Sequence, residues 1–107
     1  MSSLANTTWT LEQDGAGSYS ATVSFGANSA PTGASGGNGT YTDTSGSTPI
    51  VWVENGHEFM FQMQNQDPGY TTLTTYTGTH RSGAGSGWLS NFLVNFCNTG
   101  FSITKNK

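Results

Sequence analysis

The chain has 107 residues, enough for one domain spanning 1–107 and too few for a second. Only 33% of them are apolar, yet charged residues make up 8% and aromatics 12%, the reverse of the balance that keeps a chain disordered. The formal charge is −3, with Arg81, Lys105 and Lys107 the only Lys or Arg residues, so no basic stripe exists for nucleic acid or for an anionic membrane surface.

Read from the N-terminus, the pattern is alternation with a period of two. Trp9 and Leu11 open it, and Asp14-Gly15-Ala16-Gly17 breaks it. Tyr19, Ala21, Val23 and Phe25 then fall at every second position. Residues 26–37 are rich in Gly, Ser and Ala and read as a long loop. Ile50 and Trp52 resume the alternation, followed by Asn55-Gly56, the strongest hairpin signal in the chain. Asn and Gly both tolerate positive φ, so a type I′ turn is expected there. Phe59, Phe61 and Met63 come next, then a turn at Asp67-Pro68-Gly69, then Thr72, Thr74 and Tyr76. Residues 82–87 read as a mobile hairpin loop. The stretch from Trp88 to Cys97 is the least regular and is compatible with a helical turn. Phe101 and Ile103 close the series.

Successive strand side chains point to opposite faces, so each run sends one set inside and the other into water. The predicted strands are 7–13, 18–25, 38–43, 48–54, 57–64, 70–79, 86–93 and 99–105. Short strands with hairpin-length connections predict an all-β fold, a small eight-stranded antiparallel up-and-down barrel, which leaves no sheet edge. A β-sandwich is the alternative. Aliphatic residues are few, so Phe, Tyr and Trp must fill the interior, and a homo-oligomer would bury more of so small a core. Cys97 is the single cysteine, which excludes an internal disulfide. No apolar run approaches the roughly 20 residues of a membrane-spanning helix. Met1-Ser2-Ser3-Leu4 does not read as a signal peptide, and the compartment stays open between cytoplasm and secretion.

Several short segments occur in a familiar order. They are Thr8-Trp9, Gly39-Thr40-Tyr41, Val51-Trp52, the run from Thr74 to Gly78, Trp88-Leu89 and Ile103-Thr104-Lys105. Together they span nearly the whole chain, and their order resembles the avidin and streptavidin family. That resemblance implies an eight-stranded barrel, usually dimeric or tetrameric, with biotin held in one end. It places Tyr41 where the family has a Tyr that hydrogen-bonds the ureido oxygen. It places Trp52 and Trp88 where Trp residues wall the apolar part of the ligand, and Tyr76 where a further wall Trp is usual. Thr72 and Thr74 take the positions of hydroxyls that face the ligand's carboxylate and sulfur. The chain also departs from the pattern. Leu11 replaces an Asn, Asp43 replaces a ureido-binding hydroxyl, and Phe101 stands near where the family has a buried Asp on its last strand. A ureido group left without partners costs about 1–3 kcal/mol per group, so tight biotin binding does not follow from the resemblance.

The aromatic set has two readings, which the residues alone leave open. Trp52, Trp88, Tyr41 and Tyr76 suit the wall of a small-ligand site. They also suit the filling of a narrow barrel. His57 and His80 show no metal-ligand spacing and read as solvated or singly hydrogen-bonded. The six carboxylates are scattered and read as surface charge. No nucleophile elbow or phosphate loop is present, so no enzymatic activity and no cofactor are expected. The expected function is therefore binding of a small molecule, biotin or another ligand, in the barrel mouth. The alternative is a protein-interaction or carbohydrate-binding module acting through loops 26–37 and 82–87, or through an exposed Tyr70 or Trp88 in the case of a sugar.

Overall fold

A computed structural model describes residues 4–13, 19–30, 34–44, 46–64, 74–91 and 99–106. They form eight strands: β1 (Thr7–Gln13), β2 (Tyr19–Phe25), β3 (Ser35–Asp43), β4 (Gly46–Asn55), β5 (Glu58–Met63), β6 (Thr74–Arg81), β7 (Ala84–Asn91) and β8 (Thr99–Lys105). Each strand pairs antiparallel with the next, and β8 returns to pair with β1 from Trp9↔Lys105 to Gln13↔Phe101. The fold is a closed up-and-down barrel. Closure through β1 and β8 distinguishes it from the sandwich and leaves no unpaired edge.

The alternation in the sequence is the alternation of burial. Trp9 and Leu11, then Ala21, Val23 and Phe25, then Ile50 and Trp52, then Phe59 and Phe61 are all buried. Register rows cross the interior obliquely. One runs Trp52↔Phe61↔Tyr76↔Leu89, and another runs Glu54↔Phe59↔Gly78↔Gly87↔Phe101↔Gln13. The second row explains two glycines. A Cβ on Gly87 would stand 2.0 Å from the Thr77 carbonyl oxygen, and one on Gly78 would stand 2.3 Å from that of Ser86. β6 and β7 approach closely there, and the rings of Phe59 and Phe101 meet edge to face at 6.1 Å. Burying each such ring contributes roughly 1.5–3 kcal/mol.

The Gly-rich segments are strands where loops were expected. Ser35-Gly36-Gly37 extends β3 and pairs with Glu54, Val53 and Trp52. Residues 84–87 open β7 rather than forming a mobile loop, and the turn shrinks to Ser82-Gly83 between the paired Arg81 and Ala84. Both turn residues have positive φ, 56° and 81°, which is the type I′ signature. The Asn55-Gly56 hairpin exists one residue out of the expected frame. Asn55 pairs with Glu58, and the turn is Gly56-His57 with φ +62° at Gly56 alone. That is the pattern of a type II′ turn. Residues 92–97, where a helical turn was considered, lie outside the described residues, as does Cys97.

The barrel has two unlike ends. The tight β4–β5 and β6–β7 turns and the β2–β3 connection lie at one, the turn end. The connections 14–18, 44–45, 64–73 and 92–98 leave from the other, the loop end.

Candidate functional site

Three polar side chains converge inside the barrel toward the loop end. Gln13 is the last residue of β1, Tyr41 lies two residues before the end of β3, and Tyr76 is the third residue of β6. Gln13 follows Trp9 and Leu11 on the inward face, so its amide enters the interior by the same alternation that buries them. Its Nε2 donates to the Tyr76 hydroxyl at 2.9 Å. Tyr76 also hydrogen-bonds the Tyr41 side chain. The two phenol rings lie 6.0 Å apart, tilted by 36°. Both tyrosines are buried, whereas Gln13 keeps partial exposure.

Rings surround this polar group. Phe61 stacks on Tyr76 at 4.5 Å with planes 9° apart, and Phe101 meets Tyr76 edge-on at 5.2 Å. Burial raises the Tyr76 pKa above its ordinary 10.0, because the phenolate would lose its solvation. Hydrogen bonds from Tyr41 and Gln13 oppose that rise, and the negative charge of Asp43 adds to it. The result is a neutral arrangement of phenols and an amide in an aromatic wall. It can exchange hydrogen bonds with a ligand's carbonyl or N–H, and it offers no strong base or nucleophile.

The residues expected to form a site are distributed unequally. Tyr41 and Tyr76 meet. Trp52 lies in the same interior, edge to face with Phe25 at 5.7 Å, and its Nε1 donates to the Asn38 carbonyl at 3.1 Å. Phe25 in turn contacts Phe61, so Trp52 reaches the tyrosines through two intervening rings. Trp88 does not join them. Its ring is 65% exposed on the outer face, because the inward positions of β7 are Gly85, Gly87 and Leu89. Thr74 opens β6 opposite Asn91, and Thr72 lies outside the described residues. Phe101 is buried against Tyr76, and Leu11 is buried in the core.

Gln13 escaped the sequence reading, although its place in the Trp9, Leu11, Gln13 series was a usable signal. A second polar pair also escaped it. Glu54 and His80 are buried, with side chains only 2% and 4% exposed, and meet at 2.7 Å between Oε2 and Nε2. Glu54 is not the expected surface carboxylate, and His80 takes the hydrogen-bonded rather than the solvated of its two expected states. Trp52-Val53-Glu54 and Gly78-Thr79-His80 continue inward alternations, which is how two polar residues enter the core. The pair sits at the turn end. The Leu4 amide donates to Glu54 Oε1 at 3.4 Å, and the rings of Trp9 and Phe59 lie 5.9 and 5.8 Å from that of His80. His57 remains exposed and links its Nδ1 to the His80 carbonyl at 3.1 Å. No group of three or more His, Cys, Asp or Glu residues suited to a metal ion occurs among the described residues.

Comparison with models of protein families, with curated proteins and with solved structures gave no match to this chain.

Proposed function

We propose that the chain is a non-enzymatic binding protein that takes a small, uncharged polar head group into the loop end of its barrel. One observation carries this reading. Gln13, Tyr41 and Tyr76 bring an amide and two phenols together inside an aromatic wall toward the loop end. Small-ligand sites combine a mostly apolar lining with a few placed polar groups in this way. Of these three residues, Tyr41 is the one at a polar position of the avidin-like pattern, so biotin is the first probe. Trp52 supports the wall from behind the rings, and Thr74 opens β6 at the same end.

The test uses the Trp88→Phe variant, which removes the exposed indole and lets the buried ones report. Titration with biotin, with desthiobiotin alongside, is expected to give a saturable change in tryptophan emission. Tyr41→Phe and Gln13→Leu should each abolish it. A flat response up to about 1 mM biotin removes biotin as the ligand. A fragment screen followed by amide chemical shifts then decides the site itself. Hits that leave Gln13, Tyr41 and Tyr76 unmoved overturn the loop-end reading.

A further inference from the structure

The outer face of β5, β6 and β7 carries a feature that the loop-end site does not use. Trp88 is 65% exposed, more than Val51, Val53 or Met60, the other large apolar side chains in solvent among the described residues. One outward row runs Val53↔Met60↔Thr77↔Trp88↔Gly100. The next outward row toward the turn end runs Glu58↔Thr79↔Ser86↔Ser102. Trp88, Thr77, Thr79, Ser86 and Glu58 line one open depression of about 520 Å³, floored by the backbone of Gly78 and Gly87. Its size falls within the range of small-ligand sites. On the far side of the indole stands Gly100, which has no side chain to cover the ring.

A single exposed apolar residue is ordinary on a protein surface. The setting of Trp88 is not that of a patch. Thr77 separates it from Met60 and Val53, so the indole is an isolated apolar plane bordered by hydroxyls and a carboxylate. We infer that this face binds a neutral saccharide, with one pyranose ring laid on the Trp88 indole. A pyranose has a C–H-rich face that matches an aromatic plane and a rim of hydroxyls that needs donors and acceptors. Thr77, Thr79 and Ser86 hydroxyls do both, and the Glu58 carboxylate accepts from two hydroxyls at once. Glu58 and the net charge of −3 repel phosphorylated and carboxylated sugars, which selects the neutral class.

The intact chain is titrated with cellohexaose, xylohexaose and N-acetylchitohexaose, followed by calorimetry and tryptophan emission. At least one oligosaccharide should bind saturably with a blue shift. Trp88→Ala should then weaken it by about tenfold or more, and Thr77→Val or Glu58→Gln by a smaller factor, with the melting temperature unchanged. Tyr41→Phe should leave sugar binding intact, which separates this site from the loop-end site. No binding of any of the three at about 5 mM, or binding indifferent to Trp88→Ala, overturns the inference. A dimer that Trp88→Ala converts to monomer, with no sugar bound, overturns it in favour of self-association.

Discussion

At the turn end, Glu54 and His80 meet at 2.7 Å between the rings of Trp9 and Phe59, with the Leu4 amide on the other carboxylate oxygen. At the loop end, Gln13, Tyr41 and Tyr76 meet as an amide and two phenols, with Gln13 still reaching water. Both groups lie among aromatic rings and both are hydrogen-bonded. They differ in what could replace their partners. The turn-end pair is sealed by the N-terminal segment, since Leu4 is fully buried, Asn6 donates its amide to the Gly26 carbonyl, and the Thr7 hydroxyl donates to the Leu4 carbonyl. The loop-end group keeps a side toward solvent. A sealed polar pair serves the fold, whereas a polar group with a path to water can trade its partners for a ligand.

The largest effect should therefore come from the turn end. Glu54→Leu removes one partner of a buried pair and leaves His80 without its carboxylate, at a cost of about 3–5 kcal/mol in urea unfolding. Replacing both, Glu54→Leu with His80→Phe, should cost much less than the sum of the two single changes, because neither side chain of the pair is then left without the other. Additive losses would show that the pair is not coupled, and the contrast between the ends would fail.

Next in size is the turn that closes this end. Gly83→Ala places a Cβ on a residue with φ +81° and should destabilise by about 1–2 kcal/mol. Gly46 has φ +128° on the loop-end β3–β4 hairpin, and Gly46→Ala should strain that hairpin instead. Amide exchange resolves the two. The Gly83 change should speed exchange at His80 and Lys105, and the Gly46 change at Thr42 and Ser47. Equal spreading of both effects would mean that the ends do not open independently.

Much of this architecture was legible in the sequence. The existence of all eight strands was, six of them through alternation and β3 and β7 through the turn signals around them, and their number and spacing favoured a closed barrel over a sandwich. Trp9, Leu11, Val23, Phe25, Trp52, Phe61 and Tyr76 are buried as the alternation requires. The failures have separate causes. Glycine signals turns when read locally, but Gly36, Gly37, Gly85 and Gly87 lie in strands, where a carbonyl oxygen of the neighbouring backbone leaves no room for a side chain. A parity error concerns Trp88. The motif Trp88-Leu89 sits on β7 in a register that sends Leu89 inward and the indole outward, and a one-residue offset exchanges the faces. Glu54, His80 and Gln13 were hidden for a further reason. They are polar residues at inward positions, and only pairing across the barrel, which spans 26 residues between Glu54 and His80 and 63 between Gln13 and Tyr76, shows what satisfies them.

Tyr76→Phe probes the loop end with a smaller change. The Tyr76 hydroxyl accepts from Gln13 and bonds Tyr41, but Gln13 can turn to water when that hydroxyl is gone. The expected loss is about 0.5–1.5 kcal/mol, well below that of Glu54→Leu. The ligand response in the biotin titration should disappear with the same substitution. A variant that unfolds readily would make this group a structural counterpart of the turn-end pair.

The least effect at neutral pH is a titration. Burial holds the Tyr76 phenol above its ordinary pKa of 10.0, so the folded chain keeps a proton that the unfolded chain releases. With more protons bound in the native state, stability falls as pH rises. The contribution is fully present below pH 10.0 and is lost as pH climbs from there through the raised folded value. For a single proton the slope is at most about 1.4 kcal/mol per pH unit. Urea unfolding at a series of alkaline pH values isolates it when the chain is compared with Tyr76→Phe, since the other tyrosines titrate in both. The difference in stability between the two should be constant up to pH 10.0 and shrink above it. A difference that stays constant through the alkaline range would mean that solvent already reaches the Tyr76 hydroxyl. The polar group would then stand outside the aromatic wall, without the desolvation that strengthens its hydrogen bonds to a ligand.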